Sequence, residues 1–473
     1  MSKPIVLRDY QVRAVSDLRA AAKNRPLYHA PVGSGKTNVA CEVIRGAVAK
    51  GKRVIFVAHR RGLVFQARDR LATFGIEAGI VMGDEDPGLG PVYVASIQTL
   101  MRRTVPADVL IIDEAHHATS ATWKGVVARY PIVVGLSATP YRLDGAPLGD
   151  VFGCIVSGPT VSELVADGVL INPRIFAPPG PDLKGVHTRA GDYVESELEA
   201  AVNTPKLMGD IVTHWTKHAR GGRTVAFGVG IAHSKAIANA FGNYGYHIDG
   251  STPQEERERA VAMLEDGRIK VLSNCDLISE GWDLPHLDCA ILARPTQSLA
   301  LHRQQIGRVM RACAGKTGAL ILDHAGNTHR HGLPTDEVEV SLEGKAKRVV
   351  EAAPRTCEKC FAIIDSYPCW DCGHEPEETV REIKTKDGEL TEVPSDNKEQ
   401  RQRWYADRIA VASECGYKLG WAKFQYKKRY SVWPRFKEED AKYRCRAHEY
   451  EVRQYGTVCT RCLRSPTHEA AVS

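Results

Sequence analysis

The sequence predicts an α/β protein with two successive parallel sheets flanked by helices, followed by a small C-terminal module. Three observations lead there. Residues 109–112 form an apolar run that reads as a buried parallel strand ending in two carboxylates, Asp113 and Glu114. Upstream, Ala30-Pro31-Val32-Gly33-Ser34-Gly35-Lys36-Thr37 is a Gly-rich turn between a short strand from about Leu27 and a helix from about Gly35. Four further apolar runs, at 225–229, 271–273, 290–293 and 319–322, alternate with helix-like segments and supply the second sheet.

The Gly-rich turn and the acidic strand end together describe an ATP site. Backbone N–H groups of residues 33–37 can cradle phosphates at a helix N-terminus, and Gly33 and Gly35, with Ser34 between them, let the chain approach oxyanions without a Cβ clash. Lys36 is placed to reach the β- and γ-phosphates, and the Thr37 hydroxyl to bind Mg²⁺. Asp113 suits the metal, usually through water, which leaves Glu114 to orient and deprotonate the attacking water. Ala30 stands where the phosphate-loop pattern has glycine.

With these motifs in place, the chain resembles superfamily 2 helicases and translocases of the DEAD/DEAH-box type from about Leu7 to Asn327. Asp113-Glu114-Ala115-His116 is the DEAH box of that resemblance. Leu7-Arg8-Asp9-Tyr10-Gln11 looks like the adenine-reading Q motif, which implies Gln11, with Arg8 nearby, as the base contact. Ala58-His59-Arg60 and Ser96-Ile97-Gln98-Thr99 are similar to motifs Ia and Ib, which implies that His59, Arg60, Ser96, Gln98 and Thr99 touch a nucleic-acid backbone. Ser137-Ala138-Thr139-Pro140 matches motif III and Val225-Ala226-Phe227 resembles motif IV. Glu280-Gly281-Trp282-Asp283 resembles motif V, which brings Gly281 and Asp283 to the nucleotide, and Gln304-Gln305-Ile306-Gly307-Arg308-Val309-Met310-Arg311 fits motif VI. Residues 293–296 and 323–327 look like the bacterial RadD-type branch. The resemblance implies two tandem RecA-like domains.

Motif VI supplies what the first half lacks. A γ-phosphoryl transition state spreads negative charge over its equatorial oxygens, and a guanidinium that pairs with them bidentately is worth roughly 10³ to 10⁵ in rate. Arg308 and Arg311 are the candidates, with Gln304 on the same helix. They lie far along the chain from Lys36, so a second domain must close over the nucleotide.

The 473 residues, 43% of them hydrophobic, suit about three globular domains. Turn chemistry places a first domain at 1–156, a connecting region at 157–204, a second domain at 205–330, a cysteine-rich region at 331–394 and a last module at 395–473. No stretch approaches the roughly 18 apolar residues of a membrane span, and the N-terminus has no signal pattern, so a cytoplasmic location, in a bacterium or a phage-infected host, is expected.

Cysteine usage divides the chain. Cys41, Cys154, Cys275, Cys289 and Cys313 are scattered among apolar segments, as buried thiols are. Cys357-x₂-Cys360 and Cys369-x₂-Cys372 instead form two knuckles, which in a reducing compartment read as a tetrahedral Zn²⁺ ribbon, the alternative being a redox pair or unliganded thiols. Cys445-x₂-His448 with Cys459-x₂-Cys462 offers a second structural zinc site, with His468 as a rival to His448. Four protein ligands leave no open position for zinc catalysis.

From Ser395 onward 17 basic residues face 10 acidic ones, a net of +7, which leaves the rest of the chain at −1. Twelve of the 33 aromatics also lie there, among them Trp404, Trp421, Phe424, Tyr426, Tyr430 and Trp433, interleaved with Lys423, Lys427, Lys428 and Arg429. Such a pattern reads as a surface that neutralises phosphates and stacks bases, the alternative being a small helical core with a solvated face. The segment from Gly420 to Pro434 is similar to C-terminal segments of phage-encoded helicases.

These readings converge on an ATP-dependent DNA helicase or translocase using ATP, Mg²⁺ and Zn²⁺, acting on single-stranded, forked or branched DNA in replication, recombination or repair, with proteins of those pathways as partners. A restriction-type motor serving a separate nuclease, an RNA helicase and a binding module with a degenerate ATPase are the alternatives.

Overall fold

The computed structural model describes residues 5–83, 88–141, 144–275, 277, 284, 286–343, 347–348, 354–376, 398–418, 420–430, 432–434, 450–453 and 456–459. They fall into two compact units, Met1–Glu377 and Glu378–Ser473. The first unit carries two parallel sheets, as the hydrophobic runs predict.

The N-terminal sheet contains β1 (Pro26–His29), β2 (Val54–Ala58), β3 (Gly79–Val81), β4 (Val92–Ser96), β5 (Val109–Ile112), β6 (Ile132–Ser137) and β7 (Cys154–Ser157), in the order β3-β4-β2-β5-β6-β1-β7. Helices α1 (Asp9–Ala20), α2 (Lys36–Val48), α3 (Arg61–Thr73), α4 (Ile97–Arg102) and α5 (Ala121–Val127) flank it. Both faces are covered, which is why the central strands β2 and β5 are apolar at every position instead of alternating. Along β2, Val54, Phe56 and Ala58 enter one core while Ile55 and Val57 enter the other.

The second sheet has the order β12-β13-β11-β14-β15-β8. Residues 157–204, expected as a connection, carry α6 (Val161–Ala166), the edge strand β8 (Arg174–Phe176), a short hairpin of β9 (Thr188–Arg189) and β10 (Asp192–Tyr193), and α7 (Glu195–Val202). Then come α8 (Pro205–His218), β11 (Thr224–Phe227), α9 (Ile231–Ala240), β12 (Gly245–Ile248), α10 (Gln254–Glu265), β13 (Val271–Asn274), β14 (Cys289–Leu292), α11 (Leu299–Val309), β15 (Leu320–Asp323) and α12 (Asn327–His331). The four apolar runs foreseen here are β11, β13, β14 and β15. The strand β8 was not foreseen because its three residues are too few to show a period.

After a small ribbon of β16 (Val338–Glu339) and β17 (Lys347–Arg348), the first cysteine cluster docks on the edge of β8. Ile363 N donates to Ile175 O at 2.9 Å and Ala177 N to Phe361 O at 2.9 Å, an antiparallel continuation that occupies the exposed edge.

The second unit contains α13 (Lys398–Glu414), α14 (Gly420–Tyr430) and a hairpin of β18 (Tyr450–Arg453) and β19 (Gly456–Cys459). Tyr405, Tyr426, Tyr430 and Ala422 are buried between the two helices, so these aromatics build a small core, whereas Phe424 and Trp433 stay exposed. The guanidinium groups of Arg408 and Arg429 lie 5.2 and 5.3 Å from the Trp404 ring.

The glycine at 135 in β6 leaves room that neighbouring side chains fill: a Cβ there would stand 2.6 Å from Phe152 and 2.8 Å from Leu27. Gly135→Ala is expected to cost about 1–3 kcal/mol through overpacking. Urea unfolding checks this, and an unchanged midpoint would contradict the packing.

Candidate active site

Three adjacent strands, β5, β6 and β1, bring the nucleotide motifs together at their C-terminal ends. The turn after β1 holds Gly33 and Gly35 at φ +85° and +79°, which L side chains rarely adopt. A Cβ at residue 35 would stand 2.5 Å from Gln11 Nε2. The departure at Ala30 is accommodated from outside the turn. Residue 158 is glycine, and a Cβ there would lie 2.7 Å from that of Ala30.

Gln11, in the first turn of α1, is buried and bonded on both sides, accepting from Arg8 N at 3.0 Å and donating to Ser34 O at 3.0 Å. Tyr10 OH donates to the same carbonyl at 2.8 Å. Gln11 therefore ties α1 to the Gly-rich turn beside the position the resemblance gives it. Among the described residues the buried Ser34 Oγ has no partner.

Lys36 Nζ donates to Ala30 O at 3.1 Å and Pro31 O at 3.3 Å, which holds the ammonium over the turn. Thr37 follows in the first turn of α2. Burial lowers the Lys36 pKa, while Glu114 and Asp113 oppose that shift and Arg311 and Arg308 add to it. All five charges therefore share one electrostatic neighbourhood. Burial and Lys36 also hold His29 neutral, with its pKa lowered to about 4.

Glu114 occupies left-handed backbone, φ +49°, directly after β5. Strain of this kind collects where a side chain must be aimed. From Glu114 a polar chain crosses to the second sheet. Glu114 Oε2 lies 3.4 Å from His116 Nδ1, which bonds Ser137 Oγ at 3.3 Å; Thr139 N donates to Ser137 Oγ at 3.1 Å; and Gln304 Nε2 donates to Thr139 Oγ1 at 3.4 Å. The resemblance named these motifs singly, and their linkage through His116 and Ser137 has no sequence signal.

Helix α11 carries Gln304, Arg308 and, just past its end, Arg311. It packs tightly on the Gly-rich turn: a Cβ at Gly307 would stand 2.6 Å from Val32 Cβ, and one at Gly33 would stand 3.4 Å from Arg311 Cγ. Both ends of α11 are held. At the start, Ser298 Oγ accepts from Leu301 N at 3.2 Å and Ser298 N donates to Thr296 Oγ1 at 2.9 Å. Thr296 N donates to Asn327 Oδ1 at 3.0 Å, and Asn327 N to Asp323 Oδ1 at 3.2 Å. The motif residues 293–296 and 323–327 therefore form one scaffold beneath α11. At the other end, Lys316 Nζ donates to the carbonyls of Val309 and Arg311, a fixation no motif announces.

The expected nucleic-acid residues sit at the ends of β2 and β4. Ser96 caps α4, accepting from Thr99 N at 3.2 Å, and Thr99 Oγ1 accepts from Gly83 N at 2.9 Å; both residues are buried. Arg60 and Gln98 are exposed, and Gln98 Nε2 donates to the carbonyl of His59 at 3.0 Å, joining the two motifs. Gly281 and Asp283 of motif V lie outside the described residues.

Two family models match the chain: "Type III restriction enzyme, res subunit" over residues 4–142 and "Helicase conserved C-terminal domain" over residues 205–313. A Lactococcus phage protein, "51.5 kDa protein", is 32% identical over 74% of this chain and 78% of its own length. The chain belongs to superfamily 2 of the ATP-dependent helicases. A Saccharomyces cerevisiae relative, described as an ATP-dependent helicase IRC3, is 30% identical over 68% of the chain, which spans 52% of that protein. The DNA-bound type ISP restriction-modification enzyme LlaBIII has a similar fold, with a TM-score of 0.51 at 18% identity over 68% of this helicase and 28% of that enzyme.

The helicase's first cysteine cluster brings four Sγ atoms within 4.8 Å of one another, a group that could hold a metal ion. Sγ atoms of Cys357 and Cys372 are 3.7 Å apart and those of Cys360 and Cys369 are 3.5 Å apart. A disulfide needs about 2.05 Å. Four thiolates about 2.3 Å from one zinc ion stand about 3.8 Å from one another. Gly373, at φ +65°, donates its N–H to Cys369 O at 2.8 Å and closes the second knuckle. For the second set, Cys445, His448 and Cys462, with His468, lie outside the described residues, and of Cys459 only the backbone is described, at the end of β19. Of the scattered cysteines, Cys41 and Cys289 are buried as expected, and Cys154, Cys275 and Cys313 are only partly buried. Among the described residues no helix is long and apolar enough to cross a membrane.

Gly307→Val should push α11 off the Gly-rich turn. Turnover is expected to fall at least tenfold, with nucleotide affinity changing less, because the first domain's own phosphate contacts remain. Val32→Ala added to that variant should restore part of the rate. Steady-state ATPase kinetics of the two variants test the contact, and full activity in Gly307→Val would refute it.

Proposed function

We propose that this helicase hydrolyses ATP between its two sheets and uses the resulting opening and closing to move along DNA. The observation that carries the reading is the seating of α11 against the Gly-rich turn, which places Arg308 and Arg311 in the electrostatic neighbourhood of Lys36. In this reading Lys36 and the N–H groups of Gly33 to Thr37 hold the phosphates, with Gln11 and Arg8 toward the base. Mg²⁺, held by Thr37 and Asp113, would offset phosphate charge. Glu114 takes the proton from the attacking water, and the two arginines stabilise charge on the transferring group. Gln304, through Thr139, senses whether the domains are closed. Gly281 and Asp283 join the nucleotide from motif V.

DNA is supported by the family and by the DNA-bound structural neighbour. Arg60, Gln98 and His59, with Ser96 and Thr99 shaping the loop, form the backbone contact on the first domain, and exposed Phe424 and Trp433 suit the basic C-terminal unit to the same ligand. A restriction-type motor is the second reading, favoured by the first family model; co-purification of a nuclease subunit would support it. ATPase activity titrated with single-stranded, duplex and forked DNA and with RNA tests the substrate. Greater stimulation by RNA than by any DNA would overturn the DNA assignment.

Lys36→Ala and Glu114→Gln should both abolish multiple turnover, with Glu114→Gln still binding ATP. Arg308→Lys and Arg311→Lys should lower kcat by two or more orders of magnitude and leave ATP affinity nearly intact, since a point charge cannot replace the planar fork; roughly 10³ is the lower bound seen for such arginines. Wild-type kcat in either lysine variant would place the arginines elsewhere.

We infer that Cys357, Cys360, Cys369 and Cys372 hold a structural zinc ion that fixes the edge of β8. Protein purified without chelator should contain zinc by elemental analysis, and Cys360→Ser should lose about one equivalent. The same variant should become sensitive to protease between 355 and 376. No zinc in the wild-type protein would refute the assignment.

A further inference from the structure

At the edge of the second sheet, Arg174, Lys217, His218, Ala219, Arg220 and Asp371 line a half-open hollow of about 340 Å³. Arg174 opens β8, and Arg220 precedes β11. These are N-terminal ends of parallel strands, whereas the motifs of the ATP cleft follow C-terminal ends. A four-residue strand separates its two ends by about 10 Å, so the cavity is a separate place on the domain.

Its charge is only partly explained by local structure. The carbonyl end of α8 attracts cations, which accounts for Lys217 and for Arg220 directly after the C-cap Ala219. Arg174 lies on another element. Among the described residues, none of the three forms an ion pair, and Asp371 on the rim is the one carboxylate against them. His218 adds no charge, since burial lowers its pKa to about 4 and its ring packs 3.8 Å from that of Phe176. Next to this basic hollow stands Trp370, 48% exposed. Its Nε1–H donates to Ile363 O at 2.8 Å, and its ring lies 5.7 Å from the Arg174 guanidinium. The flanking Cys369 and Cys372 hold it in the knuckle, so the ring is fixed before any ligand arrives.

We propose that this hollow is a second nucleic-acid site, in which Arg174, Lys217 and Arg220 take a backbone phosphate of single-stranded DNA and Trp370 stacks the adjacent base. Fixed cations beside a rigid ring match the alternation of phosphate and π face in a nucleotide chain. An acidic peptide would use the cations and leave the ring idle. The inference rests on the reading of the chain as a DNA motor, and it gives the zinc knuckle a task beyond closing the sheet edge.

The test uses the full-length protein and a long single-stranded oligonucleotide, with binding measured across a salt series. Lys217→Glu with Arg220→Asn changes two exposed residues, and asparagine tolerates the left-handed backbone at 220, φ +49°. The slope of log Kd against log salt should fall by about 1.4, two contacts at about 0.7 each. Trp370→Leu should weaken binding about tenfold with the slope unchanged. Basal ATPase without DNA should stay at the wild-type level in both variants. Wild-type binding with the same slope and affinity in all variants would overturn the site alone, whereas a wild type that bound no DNA would overturn the DNA reading as well. Displacement of a bound acidic peptide, in place of DNA, by the charge variant would assign the hollow to a protein partner and also overturn the proposal.

Discussion

Everything in the cleft depends on how closely α11 can approach the Gly-rich turn. Residue 307 has no side chain, and the space where one would stand is taken by Val32. The approach is an interdomain contact, joined by Gly33 beside Arg311 and by Gln304 bonded to Thr139. Interdomain contacts can break and reform in one geometry during a catalytic cycle. What makes the contact reproducible is the rigidity of α11 itself, gripped by Thr296, Asn327 and Asp323 at its start and by Lys316 at its end.

Charge follows from that seating. Lys36 alone would be a partly buried cation, and Glu114 and Asp113 offset its cost. With Arg308 and Arg311 brought in, three cations face two carboxylates, and the surplus suits a polyphosphate and its metal. Because these groups are at least partly buried, each of these fixed charges acts more strongly on charge developing in the reaction than it would in open solvent. The polar chain from Glu114 through His116, Ser137 and Thr139 to Gln304 gives the two domains a direct connection next to the carboxylate proposed to handle the water.

The cysteine cluster solves a different problem. A parallel sheet ending in a three-residue strand leaves backbone groups open at its edge, and a segment as short as the knuckles cannot fold on its own apolar burial. Four thiols converge within 4.8 Å of one another, placed for the proposed zinc ion to cross-link them, and their segment pairs with β8 and carries Trp370.

Much of this was legible in the chain itself. The strands β5, β11, β13, β14 and β15 could be read because parallel strands buried on both faces are continuously apolar, and the Gly-rich turn because close backbone approach to phosphate demands glycine at fixed spacing. Cys357, Cys360, Cys369 and Cys372 could be read because four ligands in two knuckles have few other uses. The sequence could not show that Ala30 is tolerated through Gly158, that Lys316 anchors the arginine segment, or which of the C-terminal aromatics turn inward to form the small core that was one of its two readings. Nor could it show that Arg174, Lys217 and Trp370 meet around one hollow. Motifs and periodicity record local demands on a chain, and they determined the elements and the chemistry. Which distant residues share a space is set by packing among those elements, so only the tertiary structure decided it.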